Sequence, residues 1–166
     1  MKQQEFITLI KPFKDKLYRL AKRMLISNEE AEDATQEVLL KLWKADTNTF
    51  KSMEAMAMTM TKNYCLDQLK AKRSNNLSIT HNNYSDNSSL ENQIISKDNL
   101  YTVEKIINSL PEQQRLIIQL REIEEYEFAE IAKVLDMNET AIRVSLSRAR
   151  KIIKEKFAEI NNYGNK

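Results

Sequence analysis

At 166 residues the chain can hold one domain or two small ones, and 42% hydrophobic with 30% charged residues is the balance of a soluble globular protein. One glycine and two prolines are too few for the turns of a strand-rich fold, which leaves an all-α architecture. A net charge of +2 gives no bulk preference for a partner, and a single cysteine, Cys65, with a single histidine, His81, excludes an internal disulfide and a zinc or iron–sulfur site, so no metal and no cofactor are expected.

Residues 3–26 are predicted to form one helix, with Phe6, Ile10, Phe13, Leu17, Leu20 and Met24 recurring at spacings of three and four. Ser27 followed by Glu30 has the form of a capping box for a second helix, 29–44, with Ala31, Ala34, Val38 and Leu42 on one face. Residues 45–52 are rich in turn and capping types and form a loop. A third helix covers 53–72, with Met53, Met56, Ala57, Met60, Tyr64 and Leu69 inward. From 74 to 99 the composition changes: 13 of 26 residues are Asn or Ser, and so few are apolar that burial cannot offset the entropy of ordering. This segment is read as a flexible polar linker, dividing the chain into domains 1–73 and 100–160, each small enough to be marginal in isolation.

Beyond the linker, 100–108 is helical. Pro111 suits the first turn of a new helix, which runs to about 123 through Leu116, Ile117, Leu120 and Ile123. Phe128, Ile131, Ala132 and Leu135 form the core stripe of a short helix. Asp136, Met137 and Asn138 make a tight turn, with Asn138 as the cap of a last helix that begins at Glu139. Two short helices joined in this way make a helix-turn-helix. The charges are segregated around it: residues 104–139 carry 4 basic and 9 acidic groups, residues 140–157 carry 6 basic and 1 acidic.

On the last helix Ile142, Leu146, Ala149 and Ile153 make an apolar stripe, and Thr140, Arg143, Val144, Ser147, Arg148 and Lys151 fall on the opposite half. A recognition helix in a DNA groove needs that division: one face packs, the other presents short polar groups and arginines to base edges, and further cations grip phosphate. A solvated face on an ordinary helical hairpin would share the pattern.

Residues 110–151 resemble the C-terminal domain of extracytoplasmic-function (group IV) sigma factors of the sigma-70 family. The likeness rests on Leu110-Pro111, Gln114-Arg115, Leu120-Arg121-Glu122, Glu130-Ile131-Ala132 and Leu146-Ser147-Arg148-Ala149-Arg150. Upstream, AEDATQEVLLKLW (31–43) is similar to the family's polymerase-binding helix, and TMTKNYCLDQLK (59–70), with Asn63 and Asp67, to its promoter-melting helix. The departures are Glu125 and Asp136, where the family often has glycine, Ser145, where arginine is frequent, and Met56, where tryptophan is common.

The resemblance implies a promoter-specificity subunit of bacterial RNA polymerase, without catalysis or a small-molecule substrate, working in the cytoplasm. Its partners would be the polymerase core, through the clamp coiled coil and the flap, promoter DNA, and an anti-sigma factor. It implies polymerase contacts at Asp33, Gln36 and Glu37. It places Asn48, Thr49, Phe50, Lys51, Lys62, Asn63 and Lys70 at the −10 element, though Phe50 equally suits a core anchor. It places Arg121, Thr140, Arg143, Val144, Ser147, Arg148 and Lys151 at the −35 element. The competing expectation is a helix-turn-helix regulator that binds DNA unaided.

Overall fold

A computed structural model describes residues 2–45, 52–78 and 99–164, and within them every regular element is helical. In chain order these are α1 (Gln3–Ile10), α2 (Lys14–Leu25), α3 (Asn28–Lys44), α4 (Met53–Ser78), α5 (Asn99–Asn108), α6 (Glu112–Ile118), a wide π-type turn (Gln119–Ile123), α7 (Phe128–Leu135) and α8 (Glu139–Gly164). Most of the predicted linker lies outside the described residues, but α4 continues helical through Ser78, past the expected end of the first domain.

The first predicted helix is two. Pro12 cannot donate a backbone hydrogen bond, and the chain turns over Lys11–Phe13, where the Phe13 N–H reaches back to the Ile10 carbonyl at 3.0 Å. Phe6, Ile10, Phe13, Leu17, Leu20 and Met24 are nevertheless all buried, so the apolar spacing survives the break. α2 ends at Ile26 in the left-handed region (φ 55°), an uncomfortable conformation for a β-branched residue. Ser27 then caps α3 by accepting from the Glu30 N–H.

α2, α3 and α4 pack on one another as one bundle, and α5 to α8 form a second. The expected inward residues of α4 all pack on the core, but its most deeply buried methionine is one the spacing did not select. Met58 is fully buried beside Ala57 and Cys65, whereas Met53, Met56 and Met60 are only half-buried. α4 packs against α2 and α3 and also against α7 of the second bundle.

The two bundles therefore share a boundary, and it is polar. Arg23, 8% exposed, donates to Gln119 Oε1 and Asn108 Oδ1, both at 2.8 Å, and makes a two-pronged pair with Glu104. Arg19 forks onto the buried Glu124 carboxylate at 2.9 and 2.7 Å, and the Gln119 side-chain amide donates to the same carboxylate. Arg115 donates to the Met24 carbonyl at 3.2 Å. At the other end the Tyr126 hydroxyl donates to Glu54 at 2.8 Å, with Lys16 beside the same carboxylate and over the Tyr126 ring. The sequence left the relative placement of the two bundles open, and the structure brings them into contact.

Candidate nucleic-acid interface

The helix-turn-helix is built as its sequence demands. Glu127 and Glu130 close a capping box at the start of α7, the Glu130 carboxylate accepting from the Glu127 N–H at 3.1 Å. α7 ends at Asp136 in the left-handed conformation (φ 53°), which turns the chain towards α8. Asn138 accepts from the Ala141 N–H at 2.7 Å and starts α8, as the capping pattern predicts. Glu125, before α7, is also left-handed (φ 60°). Both positions where glycine was expected therefore have the backbone that glycine favours, reached here without it.

On α8, Ile142, Leu146 and Ala149 are buried, and Ile153 is half-buried. Thr140, Arg143, Val144, Ser147, Arg148 and Lys151 are all exposed, and at 100° per residue they share an arc of about 140°. Ser145 is not on that face. It is buried, so a side chain there cannot reach phosphate in this arrangement. Arg121 comes from the wide turn before α7, donates to the Tyr126 carbonyl at 3.0 Å and lies over the Phe128 ring, 4.2 Å from its centre. Arg143 lies over the same ring at 4.7 Å. Arg121 thus meets the predicted face of α8 at Arg143, through the Phe128 ring. Sequence reasoning missed Phe128, assigning it to the core by its spacing; it is only partly buried and its ring carries two guanidinium groups.

The first bundle presents a different surface. Asp33, Gln36 and Glu37 are exposed together on α3 and, with Leu40 and Tyr64, line an open cleft of about 380 Å³. Partial burial, with the nearby Glu37 and Asp33 carboxylates, pushes the Tyr64 hydroxyl above the usual tyrosine range, and Lys41 lies over its ring.

Of the predicted −10 residues, the three that are described lie on α4. Asn48, Thr49, Phe50 and Lys51 lie outside the described residues. Asn63 and Lys70 are exposed on α4. Lys62 is 9% exposed on a helix that packs against α7, and burial lowers its pKa while the Asp136 carboxylate partly restores it. It is closed to a nucleic acid while the two bundles are packed.

Comparison with known families settles what these surfaces belong to. The sigma-70 region 2 model matches residues 9–75 and the sigma-70 region 4 model matches residues 101–153, in that order along the chain. The chain belongs to the sigma-70 family, in its extracytoplasmic-function branch. The ECF RNA polymerase sigma factor SigW of Bacillus subtilis is 22% identical, the match covering 95% of this chain and 91% of that protein. The ECF RNA polymerase sigma-E factor of Escherichia coli is 28% identical over 93% of this chain and 87% of its own length. The solved structure of the sigma factor RpoE from Bartonella quintana, in complex with the anti-sigma factor NepR, shares the fold at a TM-score of 0.73 and 21% identity, covering 93% of this chain and 98% of that one.

Set against those matches, the exposed face of α8 lies in region 4 of this sigma factor, and the carboxylate-rich cleft and Lys62 lie in region 2. Among the described residues no helix is long and apolar enough to cross a membrane, and no group of acidic, Cys or His side chains is placed to hold a metal ion.

Proposed function

We infer that this chain is an RNA polymerase sigma factor, which directs the core enzyme to particular promoters and helps open the DNA for initiation. The observation that carries this is the division of α8: its apolar half is the core of region 4, and five polar or basic residues with Val144 are exposed on one face in a chain that carries region 2 ahead of it. Arg143, Val144, Ser147 and Arg148, with Thr140 at the helix start, meet the base edges of the −35 element. Arg121 and Lys151 hold its phosphates. Asp33, Gln36 and Glu37 dock on the clamp coiled coil of the core, an acidic patch against a complementary surface, while region 4 meets the flap. Asn63, Lys62 and Lys70, with the loop residues Asn48, Thr49, Phe50 and Lys51, hold the melted −10 strand by base capture and backbone cations. The chain supplies recognition and strand capture, and bond formation belongs to the core. It acts where the polymerase is, in the cytoplasm.

The packed bundles cannot do this as they stand. Two elements about 25 base pairs apart are separated by roughly 85 Å of B-form duplex. A packed chain of this length has a radius of gyration of about 15 Å, hence a diameter of about 40 Å. Promoter engagement therefore requires α2 and α4 to part from α6 and α7, which also uncovers Lys62. A protein that holds the bundles together would keep the factor silent. The Bartonella quintana neighbour was solved with an anti-sigma factor, and a partner of that kind is proposed for this chain.

Run-off transcription with bacterial core polymerase on a promoter pool, followed by sequencing of transcript starts, tests the reading. Starts that share upstream sequence and depend on added protein support it. Absence of initiation on every template overturns it.

A further inference from the structure

Phe128 stands out because its position in the sequence explains nothing about what surrounds it. It opens α7, at the position where the apolar stripe predicts a core side chain, yet it is only half-buried. Two guanidinium carbons lie within 5 Å of its ring centre, Arg121 at 4.2 Å and Arg143 at 4.7 Å. One belongs to the wide turn before the helix-turn-helix and the other to the exposed face of the recognition helix.

Two cations drawn to one ring repel each other, so the arrangement needs a compensating attraction. The negative face of the aromatic quadrupole supplies it, and a guanidinium plane also stacks well. Arg121 is further tied by its bond to the Tyr126 carbonyl. Arg143 has one other partner in reach, Glu139 on its own helix, at 3.8 Å and beyond hydrogen-bond distance. Without the ring, Arg143 is a long exposed side chain free to fold back onto that carboxylate, and it would have to be ordered again each time DNA is bound.

We propose that Phe128 is a positioning residue for promoter recognition: its ring holds Arg121 and Arg143 at a set spacing, so that the one meets phosphate and the other a base edge without reordering. This rests on the reading of α8 as the −35 recognition helix. The ring itself makes no contact with DNA in the proposal. It acts through the two arginines, and its contribution is to discrimination more than to affinity.

The test uses full-length protein reconstituted with core polymerase and duplex promoter fragments carrying a randomised −35 element. Selection with the unaltered protein defines a preferred sequence, and the affinity ratio between that sequence and a scrambled one is then measured for each variant. Arg143→Ala lowers the ratio. Phe128→Leu, which keeps an apolar side chain of similar bulk, lowers it roughly three- to tenfold, and Phe128→Tyr, which keeps the ring, restores it. In the Arg143→Ala background with Arg121→Ala also present, Phe128→Leu has no further effect, because the groups it acts on are gone.

A purely structural role would lower binding to both sequences and leave the ratio unchanged, which would overturn the proposal. So would a loss from Phe128→Leu that is as large with both arginines removed. If Arg143→Ala leaves the ratio untouched, the assignment of α8 as the reading helix fails and the role of Phe128 fails with it. If Arg143→Ala lowers the ratio and Phe128→Leu does not, only the role of the ring is lost.

Discussion

Replacing Arg23 by alanine should loosen the contact between the two bundles while leaving each one folded. The guanidinium is 8% exposed and bonds three side chains of the second bundle, at Gln119, Asn108 and Glu104. Glu104 keeps 46% of its side chain in water, so on losing its partner it is rehydrated at little cost. Gln119 is fully buried, and its Oε1 has Arg23 as its donor, so the substitution strands a buried acceptor at about 1–3 kcal/mol. The charge-assisted bond to Asn108 and the packing of the arginine stem are lost as well, for a total of about 2–4 kcal/mol. That is roughly a 30- to 1,000-fold fall in the ratio of packed to separated bundles. Small-angle scattering of the free chain should register a rise in radius of gyration above the roughly 15 Å of the packed form, and urea unfolding should resolve into two transitions. Arg73→Ala serves as the control, since its pair with Glu112 across the same boundary is exposed and worth about 1 kcal/mol or less. If Arg23→Ala matches Arg73→Ala in both measurements, the buried network does not hold the bundles together.

Three further outcomes are expected. Glu125→Gly should raise the melting temperature by about 1–4 °C, because relief of a left-handed backbone exceeds the added entropy of the unfolded chain; a lower melting temperature would contradict this. Cys65 is buried, and burial pushes its thiol up to about 12, with the Glu30 carboxylate acting in the same direction. The native protein should therefore resist a thiol reagent at pH 8 and react fully in guanidinium, and fast native labelling would show that α4 opens locally. Arg148→Ala should change which −35 sequences are preferred, at about 1–3 kcal/mol for the base it reads, whereas Lys154→Ala should weaken all sequences alike and reduce the salt dependence of binding. Filter binding of the holoenzyme at two salt concentrations separates the two effects.

The helices were legible because each buries one stripe, and spacings of three and four locate such a stripe without knowledge of what covers it. Asn138 was legible as a cap because capping is local. The strain at Glu125 and Asp136 was foreshadowed by the missing glycines. What could not be read depends on residues far apart in the chain. Met58 is core on a helix that also packs against α7, about seventy residues downstream, and no single-stripe pattern reveals such packing. Lys62 resembles a solvated cation until that same packing encloses it. Ser145 sits at a position where arginine suits a DNA-facing side chain, yet its place on α8 turns it inward. Phe128 has core spacing, but the groups that use its ring come from two other elements.

The polar boundary between the bundles also bears on timing. If the bundles part to span a promoter, as proposed, the apparent affinity for the full promoter is the intrinsic affinity multiplied by the separated fraction. A boundary worth about 3 kcal/mol leaves under one molecule in a hundred separated, and promoter engagement is weakened by the same factor. Closure of the bundles is an intramolecular step, so its rate is independent of the factor's concentration. On that reading Arg23, Arg19 and Tyr126, none of which is proposed to touch DNA, set the concentration at which the factor begins to occupy a promoter.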